Sequence, residues 1–296
     1  MSSGVLTGYR LVSTLARWSP ESLGRPIART VGRLVGCLDG SRRRQVERHV
    51  RRVRGSDLSG TEARRAVTAV FTSYADYWYR SLRLPSIAPA DLGRRFSIEG
   101  YQHVQNARDA GVGPILALPH LGTWEWAGFW LARVQGVPVS AVAERLEPPE
   151  LFDWFTELRI SLGINVIPLD ANAGIEVLRS VAEGKAVCLL SDRLIGGASV
   201  EVEFFGEMTS LPAGPAALAL RSGAPLLPVG VYDTDRGCHA IVRPPVPAER
   251  IGKFREDVER MTKVLTAELE WLITRAPEQW HLLQPNWPAD QTDTER

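Results

Sequence analysis

The sequence predicts an α/β protein with a mostly parallel central sheet flanked by helices, preceded by a helical region. Three observations predict it. From about residue 96, short apolar runs alternate with longer amphipathic stretches, the pattern of repeated β-α units. Residues 1–84 instead carry apolar positions at helical spacing. The chain has 296 residues, 44% hydrophobic and 23% charged, which is ordinary for a globular protein with a substantial core.

The elements follow in order. The segment from Ser41 to Arg54 holds seven arginines and one glutamate, with Val46, Val50 and Val53 at helical spacing. That reads as a basic amphipathic helix with a thin apolar face, suited to a membrane surface. Ser59 and Glu62 form a capping-box pattern. Ala66, Val67, Val70, Phe71, Tyr74, Tyr77 and Trp78 then recur at helical period on a helix expected to pack on the rest of the fold. Leu84-Pro-Ser-Ile-Ala-Pro-Ala-Asp reads as a loop. Strands are expected at Ile115–Leu118, Val137–Val142, Asn165–Leu169, Ala186–Leu190, Val200–Phe205, Leu226–Tyr232 and His239–Val242. Helices are expected at Thr123–Arg133, Pro149–Leu162, Gly174–Ala182 and Ala213–Arg221. A last helix aligns Phe254, Val258, Met261, Leu265, Leu269 and Leu272, and the polar tail after Trp287 reads as loose. Gly206 and Pro212-Ala-Gly-Pro read as a turn before a helix, whose N-terminus either offers backbone N–H groups to an anion or only starts the helix. The boundary is placed so that residues 1–92 form a helical, basic, membrane-facing region and 93–296 the α/β part, together one compact unit.

Charge is uneven. Residues 1–84 hold sixteen arginines against six acids, and residues 85–296 hold nineteen basic residues against twenty-eight acids. A polyanionic partner fits the basic part, either an anionic membrane or nucleic acid. A solvated helix face fits equally well, since only three of the 35 basic residues are lysines. No nucleic-acid recognition motif is present, so no nucleic-acid partner is expected. No apolar stretch reaches transmembrane length, and Val5 to Trp18 is too broken by polar residues for a signal peptide. Cys37, Cys188 and Cys238 fit neither a disulfide framework nor a zinc cluster. The cysteines point to a reducing, cytoplasmic compartment, and a peripheral place at the cytoplasmic face of the cell membrane is the expectation if the basic part meets a membrane.

The most informative segment is Pro114-Ile-Leu-Ala-Leu-Pro-His120-Leu-Gly-Thr-Trp-Glu125. A buried strand ends at Pro119, and His120 follows at its C-terminal edge, where open α/β sheets place their sites. A neutral imidazole there can take the proton of an attacking hydroxyl, and a nearby carboxylate can orient it. Five residues along a regular helix would turn Glu125 away, so the pairing requires His120 to precede the first turn. Structural capping of the strand end is the other use of such a histidine.

Other chemistries leave no trace. There is no Gly-x-Ser-x-Gly elbow and no Walker loop, and Gly111-Val-Gly113 lacks the third glycine of a dinucleotide fingerprint. His49, His103, His120, His239 and His281 lack metal-ligand spacing. Cys188 sits in an apolar run and reads as core. No metal and no tightly bound cofactor is expected. Arg145 and Arg193 follow strand ends, where they can meet phosphate. Trp124, Trp126, Phe129 and Trp130 cluster after His120, as core or as a wall of an acyl-chain groove.

Leu118-Pro-His120-Leu-Gly-Thr-Trp-Glu125 resembles the His-x4-Asp/Glu motif of lipid acyltransferases, in the form used by the lipid A lauroyl/myristoyl acyltransferase superfamily. The chain is most similar to the actinobacterial phosphatidylinositol mannoside acyltransferases. The resemblance extends through Ala143-Glu-Arg-Leu146, Leu158-Arg159, Cys188-Leu-Leu-Ser-Asp-Arg193, Val202-Glu-Phe-Phe-Gly-Glu207, Pro212-Ala-Gly-Pro-Ala216 and Trp280-His-Leu-Leu-Gln-Pro-Asn-Trp287, in order over about residues 100–288. It implies a glycerolipid acyltransferase-like fold, with 93–296 as catalytic domain. It also implies His120 as catalytic base, Glu125 as its relay partner and Asp192 at the second acidic position, where this branch usually has glutamate. Leu194 departs from a second acid common there. Glu144 and Arg159 match acceptor-site positions, and Arg145, Arg193, Trp124 and His281 are the other expected substrate contacts. The implied activity is acyl transfer from acyl-CoA to a hydroxyl of a membrane glycolipid, most simply a mannose of phosphatidylinositol mannoside. Alternatives are a lysophospholipid or lipid A-like acceptor with an acyl carrier protein donor, or a non-catalytic peripheral lipid-binding protein.

Overall fold

The structure, a computed structural model, describes residues 2–291. Four helices come first: α1 (Ser2–Trp18), α2 (Glu21–Leu38), α3 (Gly40–Arg54) and α4 (Gly60–Arg83). A short α5 (Pro89–Arg94) leads into β1 (Phe96–Glu99), α6 (Gln102–Asp109) and β2 (Ile115–Leu118). Then α7 (Trp124–Arg133), β3 (Val139–Ala143), α8 (Pro149–Ser161), β4 (Ile164–Pro168), α9 (Ala173–Ala182) and β5 (Ala186–Leu190) alternate. A hairpin of β6 (Ser199–Phe204) and β7 (Glu207–Pro212) precedes α10 (Gly214–Ser222), β8 (Leu226–Asp233), β9 (Cys238–Val242), α11 (Phe254–Thr274) and α12 (Pro288–Gln291).

The central sheet has seven strands in the order β1-β9-β8-β2-β5-β3-β4. All neighbours are parallel except β8 and β9. The expected fold class is therefore present, with both faces of the sheet covered. Alternate residues of β2 feed opposite cores: Ile115 and Ala117 join α9, α10 and α11, whereas Leu116 and Leu118 join α4, α7 and α8. The chain leaves β2 toward the second face through α7 and leaves β5 toward the first through the hairpin and α10. This divergence opens a crevice at the C-terminal ends of β2 and β5.

Several sequence expectations need correction. Val200–Phe205 belongs to the separate hairpin, not to the central sheet. Phe205 and Gly206 both have positive φ, 52° and 76°, which makes the two-residue turn a hairpin connection instead of an approach to a helix. β1 and β7 escape the pattern because neither is a continuous apolar run: one reads Phe-Ser-Ile-Glu and the other Glu-Met-Thr-Ser-Leu-Pro. The tail after Trp287 is not wholly loose: α12 buries Asp290, which accepts from the backbone N–H of Asn286 and Trp287 and lies 2.8 Å from Arg52. Residues 292–296 of that tail lie outside the described residues.

The basic helix α3 is also placed differently. Val46 and Val50 pack into a core with Ala66, Val67, Val70 and Phe71 of α4 and with Leu283, so its apolar face is not free to meet a bilayer. Arg51, Arg52 and Arg54 pair with Glu47, Glu207 with Asp290, and Glu278. The exposed apolar surface lies instead on α1 and α2, at Leu11, Leu15, Trp18, Leu23, Ile27 and Leu34. The capping box at the start of α4 forms as expected from Ser59 and Glu62.

α2 reaches α4 through a seam of glycine. A Cβ on Gly32 would stand 2.5 Å from the Phe71 carbonyl oxygen and 2.7 Å from the Ala75 Cβ. Gly32→Ala is therefore expected to destabilise the protein by about 1–3 kcal/mol through overpacking. Gly8→Ala, where a Cβ meets nothing within 4 Å, is expected to be neutral or to stabilise α1 by about 0.5–1 kcal/mol. Thermal unfolding of the two variants checks this, and a Gly32→Ala variant melting at the wild-type temperature contradicts the close seam.

Candidate functional site

β2 and β5 run in register, with Leu118 opposite Leu190. Two residues on, the same register brings His120 beside Asp192. His120 Nδ1 lies 2.7 Å from Asp192 Oδ1, and the His120 backbone N–H donates to Oδ2 at 2.9 Å. Asp192 is fully buried, whereas the His120 side chain keeps 27% exposure. Burial pushes the Asp192 carboxyl up, but the adjacent imidazole and the bonds from His120 and Trp280 outweigh it and hold the group below the usual carboxylate range. An ionised carboxylate only accepts, so Nδ1 carries the hydrogen, and in the neutral ring Nε2 presents a lone pair.

The loop that carries His120 is fixed on all sides. The His120 carbonyl accepts from the His281 N–H at 2.7 Å, and the Gly122 N–H donates to the Gln279 carbonyl. Gly122 has φ +57°, and a Cβ there would stand 2.2 Å from the Val231 carbonyl oxygen. Only glycine fits, because the backbones touch. Trp280 Nε1 donates to Asp192 Oδ2 at 2.7 Å, and Asn286 Nδ2 donates to the Asp192 carbonyl at 3.0 Å.

Glu125 stands in a second network. His120 does precede α7, which begins at Trp124. Even so, among the described residues no hydrogen bond joins Glu125 to His120. The Glu125 carboxylate accepts from Tyr77 Oη at 3.0 Å, Ser81 Oγ at 3.2 Å and Arg159 Nη2 at 3.4 Å. The expected relay pairing of Glu125 with His120 is thus corrected: Asp192 holds the ring, because strand register delivers it directly. The shorter side chain of aspartate suffices for that contact.

The remaining expected residues divide. Arg159 lies 5.2 Å from the Trp124 ring and 5.9 Å from the Phe155 ring. Arg193 pairs with Glu144 at 2.7 Å and Arg145 with Asp170 at 2.8 Å. The Nε atoms of Arg159 and Arg193 are buried without a hydrogen-bond partner among the described residues, leaving donors to spare. Trp124 and Trp130 border a narrow apolar cavity with Leu116, Leu118 and Val229, whereas Trp126 is core and carries Arg80 over its ring. Cys188 is buried, and its thiol is pushed up to about 12 by burial, as expected of core. Among the described residues no cluster of His, Cys, Asp or Glu has the grouping of a metal site.

Sequence reasoning missed the residues that hold these groups in place. Ser73, Tyr77 and Ser81 stand at i, i+4 and i+8 on α4, a hydroxyl stripe in an otherwise apolar face. Ser73 meets His281 Nε2 at 2.9 Å, and Tyr77 and Ser81 meet Glu125. That spacing was the available signal. Trp280 and Asn286 had none beyond their place in a motif.

His281 is buried behind the loop, not open to a substrate, against Tyr74 and Tyr77. Burial lowers it from 6.5 to about 4. The unfolded chain takes up a proton below 6.5 and the folded one resists until about 4, so this group's stabilisation is complete above 6.5 and is lost as pH falls toward 4. The loss is expected to be on the order of 3 kcal/mol. Urea unfolding of wild type and His281→Gln across that range checks it: the wild type should lose more stability than the variant, and equal slopes contradict the assignment.

Comparison with known proteins adds to this geometry. Residues 8–289 match the family described as bacterial lipid A biosynthesis acyltransferase. A phosphatidylinositol mannoside acyltransferase of Mycolicibacterium smegmatis is 35% identical over 99% of this chain and 93% of its own. One of Mycobacterium tuberculosis is 39% identical over 77% of this chain and 72% of its own. A lipid A biosynthesis acyltransferase of Haemophilus influenzae is 26% identical over 64% of this chain and 58% of its own. The sheet-edge histidine with its buried aspartate thus stands in a chain that belongs to the bacterial lipid A biosynthesis acyltransferase family, and the protein is an acyltransferase.

Proposed function

We propose that the protein transfers a fatty acyl chain from acyl-CoA to a hydroxyl of a membrane glycolipid, a mannose of phosphatidylinositol mannoside, with His120 as general base. The observation that carries the reading is the lone pair on His120 Nε2, aimed away from Asp192 and partly open to solvent. The acceptor assignment is supported by the names of the two mycobacterial relatives.

In this reading Nε2 takes the hydroxyl proton as the oxygen attacks the thioester carbonyl. The C–O bond forms, the C–S bond breaks, and the imidazolium returns the proton to the leaving thiolate. Asp192 stabilises the imidazolium in between without taking the proton. No acyl-enzyme is required. Arg159 and Arg193, with the Arg145 and Glu144 side chains at the strand ends, hold polar parts of the two substrates. Glu125 orients Arg159 and, with Trp124, shapes the acceptor side.

Docking to the membrane falls to α1 and α2. Leu11, Leu15, Trp18, Leu23, Ile27 and Leu34 are each about 60% exposed or more, and Arg10 and Arg33 lie on the same helices. No described helix is long and apolar enough to cross a bilayer, and this pattern suits lying on one. Tyr9 of α1 packs at 5.4 Å from Phe155, itself beside Arg159, so the apolar helices border the site.

Incubation with labelled palmitoyl-CoA and total membrane lipids tests the reading. His120→Ala is expected to abolish labelling of lipid while the protein stays folded, and Asp192→Asn to lower it by about 10³-fold or more, since the ring loses its orientation. Near-normal transfer by His120→Ala refutes the mechanism, and labelling of a lipid without mannose refutes the acceptor. Trp280→Phe removes one buried donor to Asp192 and is expected to lower kcat by about 10–100-fold with little change in KM, because misplacement of the pair costs rate more than binding. A KM effect alone would place Trp280 among substrate contacts instead.

A further inference from the structure

We infer that α2 and the turn joining β8 to β9 form a binding site for the phosphodiester headgroup of an anionic lipid, separate from the His120 site. The inference builds on the membrane docking proposed for α1 and α2. A cavity of about 630 Å³ opens between Glu21–Arg29 of α2, Arg95 and the turn at Asp235 and Arg236. Arg25, Arg29, Arg95 and Arg236 line it against two carboxylates, Glu21 and Asp235, which leaves a surplus of positive charge.

The arginines are of two kinds. Arg25 is fixed by Asp76, which accepts its Nε at 2.9 Å, and by the carbonyl of Asp235 at 2.7 Å. Arg95 is fixed by Glu21 at 2.6 Å. Neither guanidinium of Arg29 and Arg236 has a hydrogen-bond or ion-pair partner among the described residues. Two forks without a partner beside two that are locked make a preorganised anion cradle. Asp235, whose carboxylate has no arginine, serves as acceptor for headgroup hydroxyls.

Position argues for a lipid as the source. Leu23 and Ile27, 61% and 64% exposed, alternate along α2 with the lining residues Ser22 and Pro26. Side chains that enter a bilayer thus rim a cavity that binds its phosphates. The site is also walled off from the reacting groups. Arg80 and Asp233, a buried pair at 3.3 Å, stand between the turn and Thr123, whose N–H donates to Asp233. Nothing in the acyl transfer proposed above uses this cavity.

Co-sedimentation with phosphatidylcholine vesicles, with and without phosphatidylglycerol, tests the site independently of acyl transfer. The double substitution Arg29→Lys with Arg236→Lys keeps the charge but removes the forks, and is expected to reduce the preference for anionic vesicles by about tenfold. The matched substitution Arg64→Lys with Arg65→Lys, exposed on α4 and outside the cavity, is expected to leave it unchanged. Retention of the preference by the Arg29/Arg236 double variant reduces the effect to diffuse charge and overturns the site while membrane docking stands. Failure of the wild type to bind any vesicle overturns docking and the site together. A soluble arm uses glycerol 3-phosphate: if it raises the melting temperature through Arg29 and Arg236 while vesicle preference ignores them, the site takes free phosphate and the lipid assignment fails.

Discussion

A single buried carboxylate organises the C-terminal edge of the sheet in this molecule. Asp192 sits without solvent contact in the crevice between β2 and β5, where an unpaired charge would be prohibitive. It is tolerated because each oxygen is answered: Oδ1 by the imidazole of His120, Oδ2 by a backbone N–H and by the indole of Trp280. The same bonds that make the charge affordable also fix the ring. Removal of any donor therefore acts twice, on the stability of the carboxylate and on the direction of the lone pair.

Two carboxylates near one histidine could have competed for it. They are kept apart by the elements that carry them. Asp192 arrives on a strand in register with the histidine strand, whereas Glu125 rides on the first turn of α7 and is taken up by α4 and α8 through Tyr77, Ser81 and Arg159. One carboxylate thus orients the imidazole, and the other holds an arginine. The sheet carries the His120–Asp192 pair, and the helices carry the network around Glu125 and Arg159.

Much of this was legible from residue order. Apolar runs such as Ile115–Leu118 and Ala186–Leu190 marked their strands because parallel strands covered on both faces need apolar residues throughout. His120 was legible because its strand ends sharply at Pro119. The identity of its partner was not, since spacing along the chain favours Glu125 and only strand pairing reveals Asp192 seventy-two residues away. The role of α3 was misread for a related reason: a thin valine stripe among arginines looks like a surface helix until α4 and Leu283 are seen to cover it. Conversely, Leu11 to Leu34 of α1 and α2 did not stand out, because glycines and small residues dilute their apolar side and only packing shows which face is left bare.

The segment from Pro277 to Asp290 follows every strand in the chain, yet it supplies Trp280 to Asp192, an N–H to the His120 carbonyl and a carboxylate to His49 and Arg52 of α3. During synthesis the sheet can therefore assemble around a carboxylate that still lacks one of its donors. The pair gains its full set of donors only once the segment from Pro277 to Asn286 has been made, so the site is completed by residues that no strand carries.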